Sequence, residues 1–272
     1  ILNPVNGVVT FVFLNRGLFY LDELVTQRIS VPLLDGLLNL NGTHYKLVAN
    51  EGKNMLHRGP KGFSRVVWKV KKYGKEGNAP HIIFTYFSHD GFPGDLRVSV
   101  TYRLLADNQL STKMNARALN KATPVNLANH AYWNLGGHGS GNILSDEIQI
   151  FASHITPRVD PTGKIASVKG TPYDFLKPAI IGSKINGLPS GYIINYVLDG
   201  DMSHKLTKAD IVSSNSLDEK GKGGFKYQAH AALCLETQGF PDAVNHPNFP
   251  STIVTPEKPY SHHMLIKFST KD

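Results

Sequence analysis

One cysteine in 272 residues excludes an internal disulfide, and the place of Cys234 in the apolar run Leu233-Cys234-Leu235 reads as a buried thiol. No stretch approaches the roughly 20 apolar residues that a membrane helix needs, so no spanning helix is expected. The N-terminus Ile1-Leu2-Asn3-Pro4 lacks the basic start of a signal peptide, and the absence of Met at residue 1 is what a processed form would show. A Ser nucleophile elbow, a Walker loop and a dinucleotide fingerprint are all missing. Lys220-Gly221-Lys222-Gly223-Gly224 is glycine-rich, but it neither follows a strand nor opens a helix, so it does not read as a phosphate cradle and no cofactor is expected. The 12 histidines include no His-Glu-x-x-His helix. The pair His262-His263 would point to opposite faces of a strand, so no metal is expected either.

Helical periodicity is absent too: no apolar pattern of that period persists beyond about two turns. Strand patterns take its place, in Val8–Leu14, Ile82–Phe87, Leu96–Leu104, Glu147–Phe151, Tyr192–Leu198 and Met264–Phe268, all rich in β-branched or aromatic residues. The 25 glycines and 16 prolines supply turns between them, as in Asp90-Gly91-Phe92-Pro93-Gly94-Asp95 and Asn134-Leu135-Gly136-Gly137-His138-Gly139. The expected fold is all-β, a large antiparallel β-sandwich with one groove-bearing face, and residues 1–272 are expected to form a single domain. Leu217 to Gly224 reads as a charged loop.

The net charge of +8 raises the question of nucleic acid. The lysines are scattered, however, and the densest group, Lys69, Lys71, Lys72 and Lys75, alternates with apolar residues as the wet face of a strand does, so no nucleic-acid partner is expected. Asn41-Gly42-Thr43 matches the N-glycosylation pattern, yet Asn-Gly is also a turn dipeptide and the turn is preferred. The expected chain is soluble, cytoplasmic in preference to secreted.

Three residues stand out for proton chemistry. Glu236 closes the apolar run that contains Cys234 and is followed by a Gly and two prolines in Gly239-Phe240-Pro241-Asp242-Ala243-Val244-Asn245-His246-Pro247, a mount that holds a side chain by its backbone. His57 lies in Asn54-Met55-Leu56-His57-Arg58-Gly59, and His130 in Pro124-Val125-Asn126-Leu127-Ala128-Asn129-His130-Ala131-Tyr132-Trp133-Asn134. With reference pKa values of about 6.5 for His and about 4.3 for Glu, the histidines can give or take a proton and the carboxylate is suited to accept one. Taken singly, each is better explained by a structural role than by catalysis.

At these residues the chain resembles the aldose 1-epimerase (galactose mutarotase) family. The resemblance is carried by Asn54–Gly59 with Lys61-Gly62-Phe63 and Trp68, by Asn126–Leu135, by Cys234–Pro250, and by Asp90–Leu96 and Ile165–Phe175. It runs from about residue 36 to the end and is weaker before. It implies a galactose mutarotase-like supersandwich that interconverts the α and β anomers of free hexoses without metal or cofactor. It further implies Glu236 as base at the C1 hydroxyl, His130 as acid at the ring oxygen and His57 near that oxygen, all three touching the substrate. Glu236 and His130 are expected on opposite sides of a space the size of a pyranose ring. A small-molecule sugar and a monomer or weak dimer complete the expectation.

Two positions depart from the family pattern. Pro32 stands where the family has a sugar-binding Arg, and Ile193 where it has a sugar-binding Asp. Losing both hydrogen-bonding groups would weaken binding or change the substrate. The alternative is therefore a carbohydrate-binding or repurposed protein with weak or no epimerase activity. The chain is also shorter than typical members around Leu18 to Gln27, Arg158 to Pro161 and Asp210 to Ser214.

Overall fold

Alternation of side chains decides which face of each strand is buried. In Leu96–Leu105, Leu96, Val98 and Val100 are buried while Arg97 is exposed, and the neighbouring strand Gln109–Ala118 answers in register with Ala118, Ala116 and Met114. The computed structural model describes residues 2–5, 8–14, 37–40, 42–49, 53–55, 62–63, 66–77, 79–89, 91–157, 162–188, 191–200, 206–211 and 224–270.

Seven strands form one sheet, in the order Leu2–Val5, Val8–Leu14, Tyr260–Ser269, Gln109–Ala118, Leu96–Leu105, Ala79–Ser88 and Lys69–Glu76. Its pairings are antiparallel except that of Tyr260–Ser269 with Val8–Leu14, which is parallel. A second, fully antiparallel sheet has six strands in the order Tyr132–Trp133, Leu233–Gln238, Leu206–Ile211, Ile194–Val197, His154–Thr156 and Ala166–Ser167. The α-helix found among the described residues is the single turn Gly182–Ile185. The fold is thus the all-β sandwich that the strand patterns predict, and no helix among the described residues is long and apolar enough to cross a membrane.

The sheets meet through one apolar cluster. Met264 and Ile266 of the seven-stranded sheet pack with Ile155, Ile194, Tyr196, Leu233 and Leu235 of the six-stranded one. Thr237 Oγ1, on the same face as Leu233 and Leu235, lies 2.6 Å from His262 Nε2 across the gap. By alternation the opposite face of the six-stranded sheet, turned away from this core, carries Tyr132, Cys234, Glu236, Gln238, Asn195 and Thr156.

Several boundaries differ from the sequence expectation. The Tyr192–Leu198 pattern is strand only over Ile194–Val197, because Gly191 adopts φ +71° and Tyr192 turns inward to donate to the Ile181 carbonyl. Glu147–Phe151 is strand only over Glu147–Ile148; Ile150 N donates to the carbonyl of Phe175 instead. At the Asn41-Gly42 turn, Leu40 pairs with Thr43 and Gly42 has φ +76°, the two-residue hairpin expected, with Asn41 itself outside the described residues. Lys69, Lys71 and Lys72 are exposed on an edge strand, but Val70 and Tyr73 are exposed as well and the register shifts between Val70 and Lys72, so the expected alternation of wet and dry faces is not kept there. Of the Leu217–Gly224 loop, only Gly224 is described. His262 and His263 do face opposite ways, toward Thr237 and Ser111 respectively.

Candidate active site

Glu236 sits within a strand and not at its end: Leu233–Gln238 continues two residues past it before the chain turns at Gly239. The backbone ladder to Leu206–Ile211, with Glu236 opposite Lys208, fixes the direction of its side chain. His130 comes from Val125–Ala131, a buried but irregular segment. Asn126 Nδ2 donates to the Gly239 carbonyl at 3.2 Å and Gly239 N donates back to Asn126 Oδ1 at 2.7 Å. This reciprocal clamp joins the segment before His130 to the turn after Glu236. Asn129 Oδ1 accepts from Ala131 N at 3.1 Å, closing an Asx turn around His130, and Asn129 Nδ2 donates to Tyr102 Oη at 3.3 Å.

The two ends of the clamp bring His130 Nε2 to 2.7 Å from Glu236 Oε1. On the other side of the ring, His130 Nδ1 is 3.1 Å from Cys234 Sγ, which also lies 3.7 Å from Glu236 Oε1. Cys234 and Glu236 are fully buried and His130 is 5% exposed, so the three interact with little screening by water. Burial opposes the charged imidazole. The neighbouring Cys234 and Glu236, by electrostatic attraction and by hydrogen bond, outweigh burial and hold His130 well above the usual histidine range.

These distances correct one expectation. His130 and Glu236 do not flank a ring-sized space; they touch. One ligand atom from each of His130, Cys234 and Glu236 falls within 4.8 Å of the others, a set that in principle suits a metal. The 2.7 Å and 3.1 Å separations are those of hydrogen bonds. Two donors on an ion with bonds of about 2.0 to 2.2 Å at tetrahedral angles stand roughly 3.3 Å or more apart.

His57 and Pro32 lie outside the described residues. Asn54 and Met55, just before His57, are placed, with Met55 buried against Leu38, Leu40, Leu47 and Phe92. The other motif residues serve packing. Trp68 Nε1 donates to the Phe63 carbonyl and its ring stands edge-on to Phe63, while Gly94 runs so close to Lys121 that a Cβ there would lie 2.8 Å from its carbonyl oxygen. Ile193 is half-buried and lies just before the strand Ile194–Val197.

The structure adds residues that the sequence did not single out. Gln238 Nε2 donates to Asn195 Oδ1 at 3.2 Å beside Glu236, and no described residue hydrogen-bonds to Gln238 Oε1 or to Thr156 Oγ1. The alternation of Cys234, Glu236 and Gln238 was the available signal. The partners of each depend on pairing between distant strands.

The aldose 1-epimerase family model matches residues 27–267, beginning somewhat earlier than the resemblance from residue 36. The chain is 37% identical to galactose mutarotase from Bos taurus over 276 residues, 90% of this chain and 78% of that protein. It is 31% identical to aldose 1-epimerase from Escherichia coli over 77% of this chain and 68% of that one. Its fold superimposes on the crystal structure of an aldose epimerase homologue from C. elegans with a TM-score of 0.77 at 24% identity, over 88% of this chain and 80% of that one. A buried imidazole–carboxylate pair on the outer face of a mutarotase-like sandwich, in a sequence matched nearly end to end, places the chain in the aldose 1-epimerase family.

Proposed function

We propose that the protein interconverts the α and β anomers of free hexoses such as galactose or glucose, with Glu236 and His130 as the acid–base pair. The observation that supports it most is the 2.7 Å contact between His130 Nε2 and Glu236 Oε1 on the sheet face turned away from the core. Glu236 takes the proton of the C1 hydroxyl while His130 gives one to the ring oxygen, and the bond between C1 and that oxygen opens. Rotation about C1–C2 and closure on the other face of the carbonyl inverts the anomer, with the proton roles reversed. A protonated imidazole beside a carboxylate acceptor is the starting state this needs, and the raised pKa of His130 supplies it near neutrality. The family resemblance adds His57 to the proposed substrate contacts.

The proposal includes no nucleic-acid partner and a monomer or weak dimer. Exposed lysines on the Lys69–Glu76 edge support the second, since charge on an edge strand discourages pairing between molecules. Polarimetry of freshly dissolved α-galactose tests the activity directly. The wild type is expected to speed the approach to equilibrium, and Glu236→Gln to lose about 100-fold to 10,000-fold in kcat, the usual contribution of a positioned proton carrier. A wild-type rate no better than that of Glu236→Gln would sink the proposal.

A further inference from the structure

Cys234 has no part in the proton transfers just described, yet it is the nearer of the two groups on its strand to the far nitrogen of His130. Its sulfur stands 3.1 Å from Nδ1, while the carboxylate of Glu236 holds Nε2 at 2.7 Å. The two side chains are two residues apart on one face of Leu233–Gln238 and grip the ring by its two nitrogens. Resting on the assignment of His130 as the acid, we propose that Cys234 is a positioning residue that keeps a proton on Nδ1, so that Nε2 is the nitrogen that gives and retakes the substrate's proton.

The argument is one of hydrogen-bond inventory. A thiol has one weak donor and a weakly accepting sulfur. If the sulfur accepts from Nδ1–H, its own proton can point to Glu236 Oε1, 3.7 Å away. The imidazolium then donates from both nitrogens, to sulfur and to carboxylate. When Nε2 passes its proton to the ring oxygen, Nδ1–H and its sulfur acceptor are unchanged. The neutral ring is therefore left as the tautomer with a bare Nε2, ready to take the proton back when the sugar closes. A carboxylate beside Nδ1 would do the same but add a second negative charge to a fully buried site, which Glu236 already occupies. An apolar side chain would leave the buried Nδ1–H without that acceptor. Among the described residues, the groups facing the ring include Cys234 and Glu236 from one strand and the Tyr132 ring, 5.0 Å from it between centroids, from the next.

Two variants separate this role from space filling. Cys234→Ala is expected to lower kcat about tenfold with KM changed less than about twofold, whereas Cys234→Ser, whose hydroxyl can still accept, is expected to return kcat to within about threefold of wild type. Because sulfur favours the imidazolium, the alkaline limb of the kcat profile should move to lower pH in Cys234→Ala. A second readout does not depend on turnover. In imidazole nitrogen NMR above the ring's pKa, the wild type and Cys234→Ser should show the Nδ1–H form of His130, and Cys234→Ala a shift toward Nε2–H. Circular dichroism checks that each variant is folded. The proposal is overturned if folded Cys234→Ala keeps the wild-type kcat profile, if folded Cys234→Ser is as slow as Cys234→Ala, or if the tautomer does not respond to Cys234→Ala. A wild type that turns over no sugar would refute the proposed activity and still leave the tautomer measurement to decide the role of the thiol.

Discussion

His130 holds a proton in a place that by itself discourages charge. Burial works against the imidazolium, and Cys234 and Glu236 reverse the balance, so its pKa stands well above 6.5. A pKa raised by folding contributes stability that is fully present below the unfolded value and is lost as pH rises through the folded one. Urea denaturation from about pH 6 to about pH 10 should therefore show the advantage of wild type over His130→Gln shrinking with rising pH. An advantage that stays constant over that range would mean that folding does not shift the pKa of the ring. The same proton serves the proposed reaction, which should persist above the pH at which an ordinary histidine is discharged. Nothing in the sequence around His130 announces this. Glu236 and Cys234 are more than 100 residues away, the Cys234 contact spanning 104, so the pair became legible only through family resemblance and then through strand register.

At the scale of elements, the site rests on a segment that is neither helix nor strand. Val125–Ala131 is buried throughout, and its backbone geometry is kept by the side chains of Asn126 and Asn129 where a sheet ladder would otherwise do so. Asn126→Ala removes both bonds of the clamp and leaves the Gly239 N–H without its acceptor. It is expected to cost about 2 to 3 kcal/mol in urea denaturation and to lower kcat by loosening His130 against Glu236. Asn120→Ala, which breaks the exposed pair with Asp95, should cost less than about 1 kcal/mol and leave kcat alone. Equal costs at the two positions would contradict the clamp's special place. The local Asx turn at Asn129 is visible in the sequence because its partner is two residues on; the Asn126 clamp is not, because its partner is 113 residues on. Strands show the same division. Leu96–Leu105 was legible from its alternating Leu96, Val98 and Val100. Its neighbour Gln109–Ala118 was not singled out, because its buried face is built from Thr112, Met114 and the small Ala116 and Ala118, a weak apolar signal.

For the whole molecule, the site and its support lie on opposite faces of one sheet. Leu233 and Leu235 point into the core against Met264 and Ile266, and Cys234 and Glu236, alternating with them, point out to the site. If the two sheets form one cooperative unit, as we propose, their shared core helps to keep the pair at hydrogen-bonding distance. Two tryptophans can report on this separately. Trp133 belongs to the six-stranded sheet and the core cluster, whereas Trp68 packs with Phe63 and Tyr86 at the far edge of the other sheet. A single domain predicts that Trp68→Phe and Trp133→Phe, each leaving one fluorophore, unfold with coincident midpoints once each is scaled to its own stability by circular dichroism. Met264→Ala, which opens a cavity between the sheets, should move both fluorophores' transitions together by about 2 to 5 kcal/mol. If Trp133 lost its signal well before Trp68 in that background, the sheets would be separate folding units, and the alignment of His130 with Glu236 would have to come from the Asn126 clamp alone.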